Sequence, residues 1–239
     1  MGCSNAPNEL DDKMLEESAR GENCNLEPQV LDKTCETKVE IEKRTEELGR
    51  QRIENRIEEI PKGELEKKPT SERVEKVLRN EFDAAPKQTR AEIYGYKYIE
   101  EERNNIAGKT VWDKVASKAH IEVYKGRDLL ETVETATHER WEVSYDNLTP
   151  EQSKELKGLH LEAIYGVEGK QPVTNYAWQD ERQFFCDSMA TFKWEPGTLK
   201  EKDGDMFNFC REIYVSNEVE RIKEQLVEGG FISPHSFFK

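Results

Sequence analysis

The sequence predicts an α+β fold in which a single C-terminal domain follows a long, charged N-terminal arm. Every Phe, Trp and Tyr lies from Phe82 onward, whereas the first 81 residues carry a net charge of −6 and few apolar side chains. Such an arm buries too little apolar surface to offset the cost of ordering its backbone, about 1–2 kcal/mol per residue. We therefore expect residues 1–70 to form a disordered tether and residues 71–239 to form one α+β binding domain.

One helix is predicted inside the arm, over residues 38–60. Two acid–base pairs at i,i+4 spacing stabilise a helix by about 0.2–0.5 kcal/mol each; they are Glu40 with Arg44 and Glu46 with Arg50. Three isoleucines share one helical face, and Pro61 ends the pattern. They are Ile53, Ile57 and Ile60. This thin apolar stripe indicates a marginal helix that is either solvated or bound to a partner.

The helices of the domain are marked by their starts and stops. Thr70 precedes an apolar face at helical spacing, and Thr149–Gln152 has the pattern of a capping box with proline at the first helical position. A helical stripe covers Trp178–Phe192, although part of this run also fits a strand. A last helix is predicted from Asn217 to Gly229, because a glutamate follows the asparagine after three residues and glycine ends helices.

Strands are predicted where apolar and polar residues alternate. These segments are Tyr94–Tyr98, Ile121–Tyr124, Arg140–Tyr145 and Met206–Val215. Trp112–Ala119 fits one or two helical turns instead. Because helical stripes and strand patterns are mixed along the domain, the sequence favours the α+β class.

Composition argues against several classes of protein. The net charge of −14 argues against nucleic acid as a partner, because phosphate binding needs clustered Lys and Arg. The sequence contains no apolar run of about 18 residues that would predict a transmembrane helix. Its five cysteines are scattered without a CxxC pair, which favours free thiols in a reducing cytosol over a disulfide framework or a zinc site.

No residue is predicted to be catalytic, cofactor-binding or metal-binding. The four histidines are well separated, and none is interpreted as part of an HExxH-like pattern; they are His120, His138, His160 and His235. Each is interpreted as a surface or packing residue. Cys186 has apolar neighbours and is interpreted as a core thiol rather than a nucleophile. We therefore expect no cofactor, and we favour a binding domain over an enzyme.

The first residues, Met1-Gly2-Cys3, predict attachment to a membrane. Gly2 is the residue that N-myristoylation modifies after removal of Met1, and Cys3 is placed for S-palmitoylation. One myristoyl chain binds membranes only marginally, with K on the order of 10⁴ M⁻¹, so stable anchoring needs the second chain. This opening resembles the dual-acylated N-termini of Src-family kinases and G-protein α subunits, although Ala6 stands where that pattern favours Ser or Thr. The resemblance implies the cytoplasmic face of a membrane.

A second resemblance covers residues 94–141. Its matching segments are Tyr94–Asn104, Trp112, Ile121–Gly126 and Trp141. They are similar to the central part of the small A-kinase anchoring proteins of cilia. In that family, a helix just upstream docks the regulatory subunit of protein kinase A through an apolar face. The corresponding stretch here contains Pro86 and a polar run, which departs from the family pattern.

The function predicted from these patterns is a lipid-anchored adaptor or scaffold that binds an unidentified protein partner near a membrane. The plasma membrane and the cilium are both open, and without acylation the expected location is the cytoplasm. One alternative is an A-kinase-type anchoring protein with the kinase regulatory subunit as partner. Another is a soluble enzyme whose site is assembled from residues distant in sequence. A pocket lined by perturbed titratable groups would favour the enzyme, and an exposed apolar groove would favour the adaptor.

Overall fold

The computed structural model describes residues 38–58, 70–101, 106–125 and 128–230. Helices and a small sheet make up these ranges, which confirms the predicted α+β class. Gly2 and Cys3, the predicted acylation sites, lie outside the described residues.

Eight α-helices and three strands form the described part of the chain. They are α1 (Lys38–Glu58), α2 (Ser71–Ala84), α3 (Lys87–Glu92), β1 (Ile93–Ile99), β2 (Gly108–Asp113), β3 (Lys118–Tyr124), α4 (Leu129–Ser144), α5 (Pro150–Ile164), α6 (Glu181–Trp194), α7 (Pro196–Lys202) and α8 (Gly204–Glu228). Short 3₁₀ turns follow α4 and precede α6. No helix within the described ranges combines the length and the apolar character needed to cross a membrane.

The sheet has the strand order β1-β3-β2, so β3 lies in the centre. It runs parallel to β1 and antiparallel to β2. Ala119, Ile121 and Val123 of β3 are buried, as expected for alternate residues of a strand with one covered face. Helices α2 and α4 pack on this sheet, and β2 is an edge strand with Val111 and Trp112 exposed.

Helix α4 lies between two hydrophobic cores. Its residues Leu129 and Val133 join the core formed with the sheet and α2, whereas Trp141 joins the core formed by the later helices. Eleven of its 16 residues are buried. A helix covered on both sides cannot keep its polar residues on one solvated face. The charged side chains of α4 therefore need partners inside the protein.

The predicted helix boundaries are confirmed where capping residues mark them. Thr70 caps α2, Thr149 and Gln152 form the capping box of α5, and Gly229 follows the last residue of α8. The stripe within Trp178–Phe192 belongs to helix α6 rather than to a strand. Strands are also confirmed within Tyr94–Tyr98 and Ile121–Tyr124, which lie in β1 and β3.

Four other predictions are wrong. Arg140–Tyr145 is the end of α4 and the following turn, and Met206–Val215 lies within α8, because helices buried on several faces place apolar residues at odd as well as even spacings. Helix α8 accordingly begins at Gly204, capped by Asp203, rather than at Asn217. The predicted helical turns at Trp112–Ala119 are the end of β2, a turn and the start of β3, where cross-strand pairing determines the structure.

Helix α1 packs against α8, whereas the sequence alone favours a solvated helix. Ile53 is buried, and Gly49 lies so close to α8 that an added Cβ would be 2.8 Å from Cγ2 of Val219. The Arg50 guanidinium donates to both carboxylate oxygens of Glu212, each at 2.8 Å. The side chains of Ile57 and Ile60 lie outside the described residues.

Candidate functional site

A cleft of about 510 Å³ opens between the start of β2, helix α4 and helix α6. Acidic, hydroxyl and imidazole side chains dominate its polar lining; they are Glu131, Glu134, Thr135, His138, Glu139, Thr174, Tyr176, Asp187 and Thr191. Tyr176 is half exposed, and its ring lies 5.8 Å from the ring of His138. The cleft therefore brings several titratable side chains to a surface opening.

Helix α4 supplies the imidazole and two carboxylates of the site. Its first turn is fixed by Asp128, whose side chain accepts from the backbone NH of Glu131 at 2.9 Å. The helix then places His138 and Glu142 one turn apart on the same face, with Nε2 of His138 3.7 Å from Oε1 of Glu142. Glu139 directly follows His138 and also faces the cleft.

Helix α6 supplies the remaining groups. Asp180 caps this helix by accepting from the NH of Gln183 at 2.9 Å. Oδ1 of Asp187 lies 2.6 Å from Nδ1 of His138, and its Oδ2 accepts from the Thr174 hydroxyl. The preceding residue is the buried Cys186. The donor atoms of Cys186, His138 and Glu142 all lie within 4.8 Å of one another.

The pKa values of His138 and Glu142 are shifted by their contacts in this arrangement. Burial lowers the pKa of His138, but hydrogen bonds to Asp187 and Glu142 outweigh burial and raise this pKa to about 10. Burial also raises the pKa of Glu142, yet its hydrogen bonds from His138 and Gln183 bring the net pKa below the ordinary glutamate value. The imidazole is therefore a cation held by carboxylates at neutral pH.

Two carboxyl groups of α4, those of Glu134 and Glu139, have pKa values above the ordinary glutamate value. Burial raises the pKa of Glu134 to about 8, with the charges of Glu195 and Asp187 acting in the same direction. Burial also raises the pKa of Glu139, although the nearby His138 opposes this change. The Thr110 hydroxyl on β2 donates to Oε2 of Glu139 at 2.8 Å, which fixes this carboxyl against the edge strand.

The edge strand β2 packs closely on α4 because residue 108 is a glycine. A Cβ on Gly108 would lie 2.5 Å from Cγ2 of Thr135 and 3.0 Å from Cγ of Glu139. A side chain at residue 108 would therefore require the side chains of Thr135 and Glu139 to move. One wall of the cleft is formed by the backbone of Gly108 together with these two side chains.

These groups are the kinds of ligand that divalent transition metals prefer. Imidazole nitrogen, carboxylate oxygen and thiolate sulfur all bind Zn²⁺ and related ions. The helix carries them as His138-Glu139-Arg140-Trp141-Glu142, an H-E-x-x-E spacing. In the H-E-x-x-H helix of metallohydrolases, the residues at i and i+4 bind the metal and the intervening glutamate is the general base. Here a carboxylate replaces the second imidazole.

No family model matches this chain, and no curated protein or solved structure matches it. The similarity of residues 94–141 to ciliary A-kinase anchoring proteins stays a prediction. In the structure these segments belong mainly to the three strands and to α4.

No metal-binding or catalytic residue is predicted from the sequence. The H-E-x-x-E spacing gains meaning only on a helix, whereas the alternation at Arg140–Tyr145 predicts a strand, on which His138 and Glu142 would not lie one helical turn apart. Cys186 is buried in the helical core, and burial raises the pKa of its thiol. The sequence gives no signal that Asp187 faces His138, because 49 residues separate them.

The other histidines lie away from this cluster. His120 stacks on Tyr94, and His160 packs against Phe184 with 5.1 Å between ring centroids. His235 lies outside the described residues. His160 is therefore a useful reference residue for experiments on His138.

Proposed function

We propose that the domain is a metal-dependent hydrolase. The observation that carries this proposal is the H-E-x-x-E helix: His138 and Glu139 line an open cleft, and the donor atoms of Glu142 and Cys186 lie within 4.8 Å of that of His138. This is the enzyme alternative of the sequence analysis, and the cleft is of the kind expected for it, lined by titratable groups with shifted pKa values.

The charge of the cluster favours a cation. Three carboxyl groups act on a single imidazole, that of His138; they belong to Asp187, Glu142 and Glu139. Arg182 pairs with Glu142 from the outside, at 3.4 Å. A bound divalent ion would neutralise this excess directly, and the proton now on His138 would leave as the metal binds.

The proposed ligands are His138, Glu142 and Cys186. Nε2 of His138 faces Glu142, so this nitrogen is the one available to a metal ion, while Nδ1 is held by Asp187. A carboxylate at the second nitrogen of a metal-bound histidine fixes its tautomer and orientation. Three protein ligands leave one tetrahedral position for water, as in catalytic zinc sites.

Glu139 is the proposed general base. It lines the cleft beside His138, and its pKa is raised by burial, which brings it closer to neutral pH. A metal ion lowers the pKa of its bound water, and a neighbouring carboxylate can accept the proton that this water releases. The substrate bond would then lie in the cleft between Glu139, the metal and the edge strand β2.

Metal binding is tested by titrating the purified, chelator-treated protein with Co²⁺ and Zn²⁺. We expect one ion per chain, with a near-ultraviolet thiolate-to-cobalt absorption band that is absent from the Cys186→Ser variant. His138→Gln should lower the affinity for zinc by at least about tenfold, and Asp187→Asn should lower it by about 10–100-fold. His160→Gln is the matched control. Absence of binding, or equal binding by the His138 and His160 variants, would refute the proposal.

Hydrolysis is tested with 4-nitrophenyl acetate and with a mixed peptide library analysed by mass spectrometry. We expect zinc-dependent cleavage by the wild type. Glu139→Gln should keep the zinc affinity but lower the rate by about 10²–10⁴-fold, as expected for loss of a general base. Metal binding without hydrolysis of either probe would reduce the proposal to a structural metal site.

The lipid-anchored adaptor stays a second proposal, supported by Met1-Gly2-Cys3 alone. Both functions are compatible, since acyl chains on residues 2 and 3 would hold the domain near a membrane. Intact-mass measurement of the native protein tests this proposal. A mass without either acyl chain would contradict it.

A further inference from the structure

A second, smaller cavity of about 70 Å³ lies across α4 from the cleft. Arg140, two residues after His138, is turned about 200° from it around a helix of about 3.6 residues per turn. The polar residues that line this cavity are Arg56, Arg140, Lys193, Asn217 and Glu218, and its apolar walls include Phe192 and Tyr214. Helices α1, α4, α6 and α8 all contribute.

Basic side chains outnumber acidic ones around this cavity. Within the described residues, Arg52, Arg56 and Arg221 share the carboxylate of Glu218, at 2.8, 3.5 and 3.0 Å respectively. On the other side, Arg140 lies 3.3 Å from Glu81, and Lys193 pairs with the same carboxylate. Five cations thus share two carboxylates, in a protein whose overall charge is −14.

The basic groups of this cluster are partly or fully withdrawn from solvent and share their carboxylates. Arg140 is 2 % exposed, and its Nε lies 3.3 Å from Glu81 without forming a hydrogen bond; Nε of Arg221 has no hydrogen-bond partner in the described part of the chain. Burial, together with the charge of Arg56, lowers the pKa of Lys193 to about 7. Uncompensated charge in the interior is costly, so a cluster of this kind needs a further anion.

We infer that this cavity binds a small oxyanion of the phosphate type, held by Arg56, Arg140 and Lys193. Guanidinium groups match phosphate oxygens in charge and geometry, and a bound dianion would offset the two guanidinium charges and favour the protonated form of Lys193. The volume far exceeds the roughly 10–15 Å³ that one water needs. This site is separate from the proposed metal site.

An anion here would join α1 to the rest of the fold. Arg56 belongs to α1, whereas Arg140 and Lys193 belong to α4 and α6. One anion bound to all three residues would therefore stabilise the docked position of α1 in addition to the contacts of Ile53 with the helical core.

The experiment is calorimetric titration of the full chain with inorganic phosphate at constant ionic strength, set with sodium chloride. We expect saturable binding of one phosphate, and similar binding of sulfate. Acetate should bind at least about tenfold more weakly, because it carries one charge and two oxygens. Absence of phosphate binding would overturn the inference, and acetate binding as tight as phosphate binding would overturn the choice of a dianion.

Variants of the lining residues test whether the anion binds in the cavity. Arg56→Gln and Lys193→Met should each weaken phosphate binding by about tenfold or more, since each removes a charge-assisted contact. The matched control is Arg50→Gln, which removes an ion pair between α1 and α8 outside the cavity. Arg56 is partly exposed, so its variant keeps the test valid if the Lys193 variant fails to fold. Equal binding by all three variants would refute the site.

Discussion

The two sides of α4 present opposite charges. On the side of the cleft, three carboxyl groups act on the single imidazole of His138. On the side of the smaller cavity, five cations share two carboxylates. One helix of 16 residues thus separates a site suited to a metal ion from a site suited to an oxyanion. A net charge of −14 therefore does not predict the charge of a particular interior site.

The two sites also differ in how the protein holds them. The cleft side lies between α4 and α6, with an edge strand as its outer wall. The cavity side depends on α1, a helix joined to the rest of the described fold mainly through its contacts with α8. Changes that undock α1 should therefore affect the anion site and spare the metal site.

The largest effect is expected from Glu81→Gln. Glu81 is 1 % exposed and pairs with both Arg140 and Lys193. Loss of its charge leaves the buried Arg140 and the partly buried Lys193 without a carboxylate, which should cost about 3–5 kcal/mol of unfolding free energy. Urea denaturation measures this cost. Glu212→Gln, in the more exposed pair with Arg50, should cost less than about 1 kcal/mol. Equal costs would show that the cavity cluster is effectively solvated.

Raising the pH should change the stability of the protein in opposite directions through His138 on the cleft side and Lys193 on the cavity side. The pKa of His138 is raised from 6.5 to about 10 on folding, so its contribution to stability is lost as pH rises through this interval. The pKa of Lys193 is lowered from 10.5 to about 7, so the unfolded chain binds the extra proton and stability rises with pH there.

The measurement is denaturation in the presence of a chelator, from about pH 8, where Glu134 titrates, to about pH 10. Relative to His138→Gln, the wild type should lose stability over this range. Relative to Lys193→Met, it should gain stability. Differences of the same sign in both comparisons would contradict the assignment of opposite charges to the two sides.

A smaller effect is expected from Gly49→Ala at the contact of α1 with α8. The added methyl group would lie 2.8 Å from Val219, and overpacking costs about 1–3 kcal/mol, partly offset by the helix propensity of alanine. Gly158→Ala in α5 meets no atom within 4 Å and should stabilise by about 0.5–1 kcal/mol. Thermal denaturation compares the two, and phosphate titration should show weaker binding only for Gly49→Ala. Stabilisation by both variants would mean that α1 does not pack tightly.

The elements that the sequence predicts correctly are those marked by local signals. The caps at Thr70 and Thr149 are made by side chains that bond to the backbone three residues away, so the sequence alone contains them. Strands β1 and β3 are predictable for a similar reason, since alternation follows from one covered face. Helices α4 and α8 are not, because each contacts several neighbours and its apolar residues follow no single period.

The candidate site depends on helix α4, and the sequence wrongly predicts a strand for its last residues. His138 and Glu142 are neighbours only on a helix, and Asp187 comes from a helix 49 residues later. The five cations around the smaller cavity come from α1, α4, α6 and α8, so no sequence motif gathers them. Local patterns predict elements, whereas both sites arise from packing between elements.

The backbone contact at Gly108 has a consequence for substrate choice. A side chain at residue 108 would collide with the side chains of Thr135 and Glu139, so a substitution there would displace two residues that line the cleft. Thr174 and the half-exposed Tyr176 also line the cleft, so selectivity can be tuned at these positions instead. Engineering of the cleft should begin with these two positions and leave residue 108 as glycine.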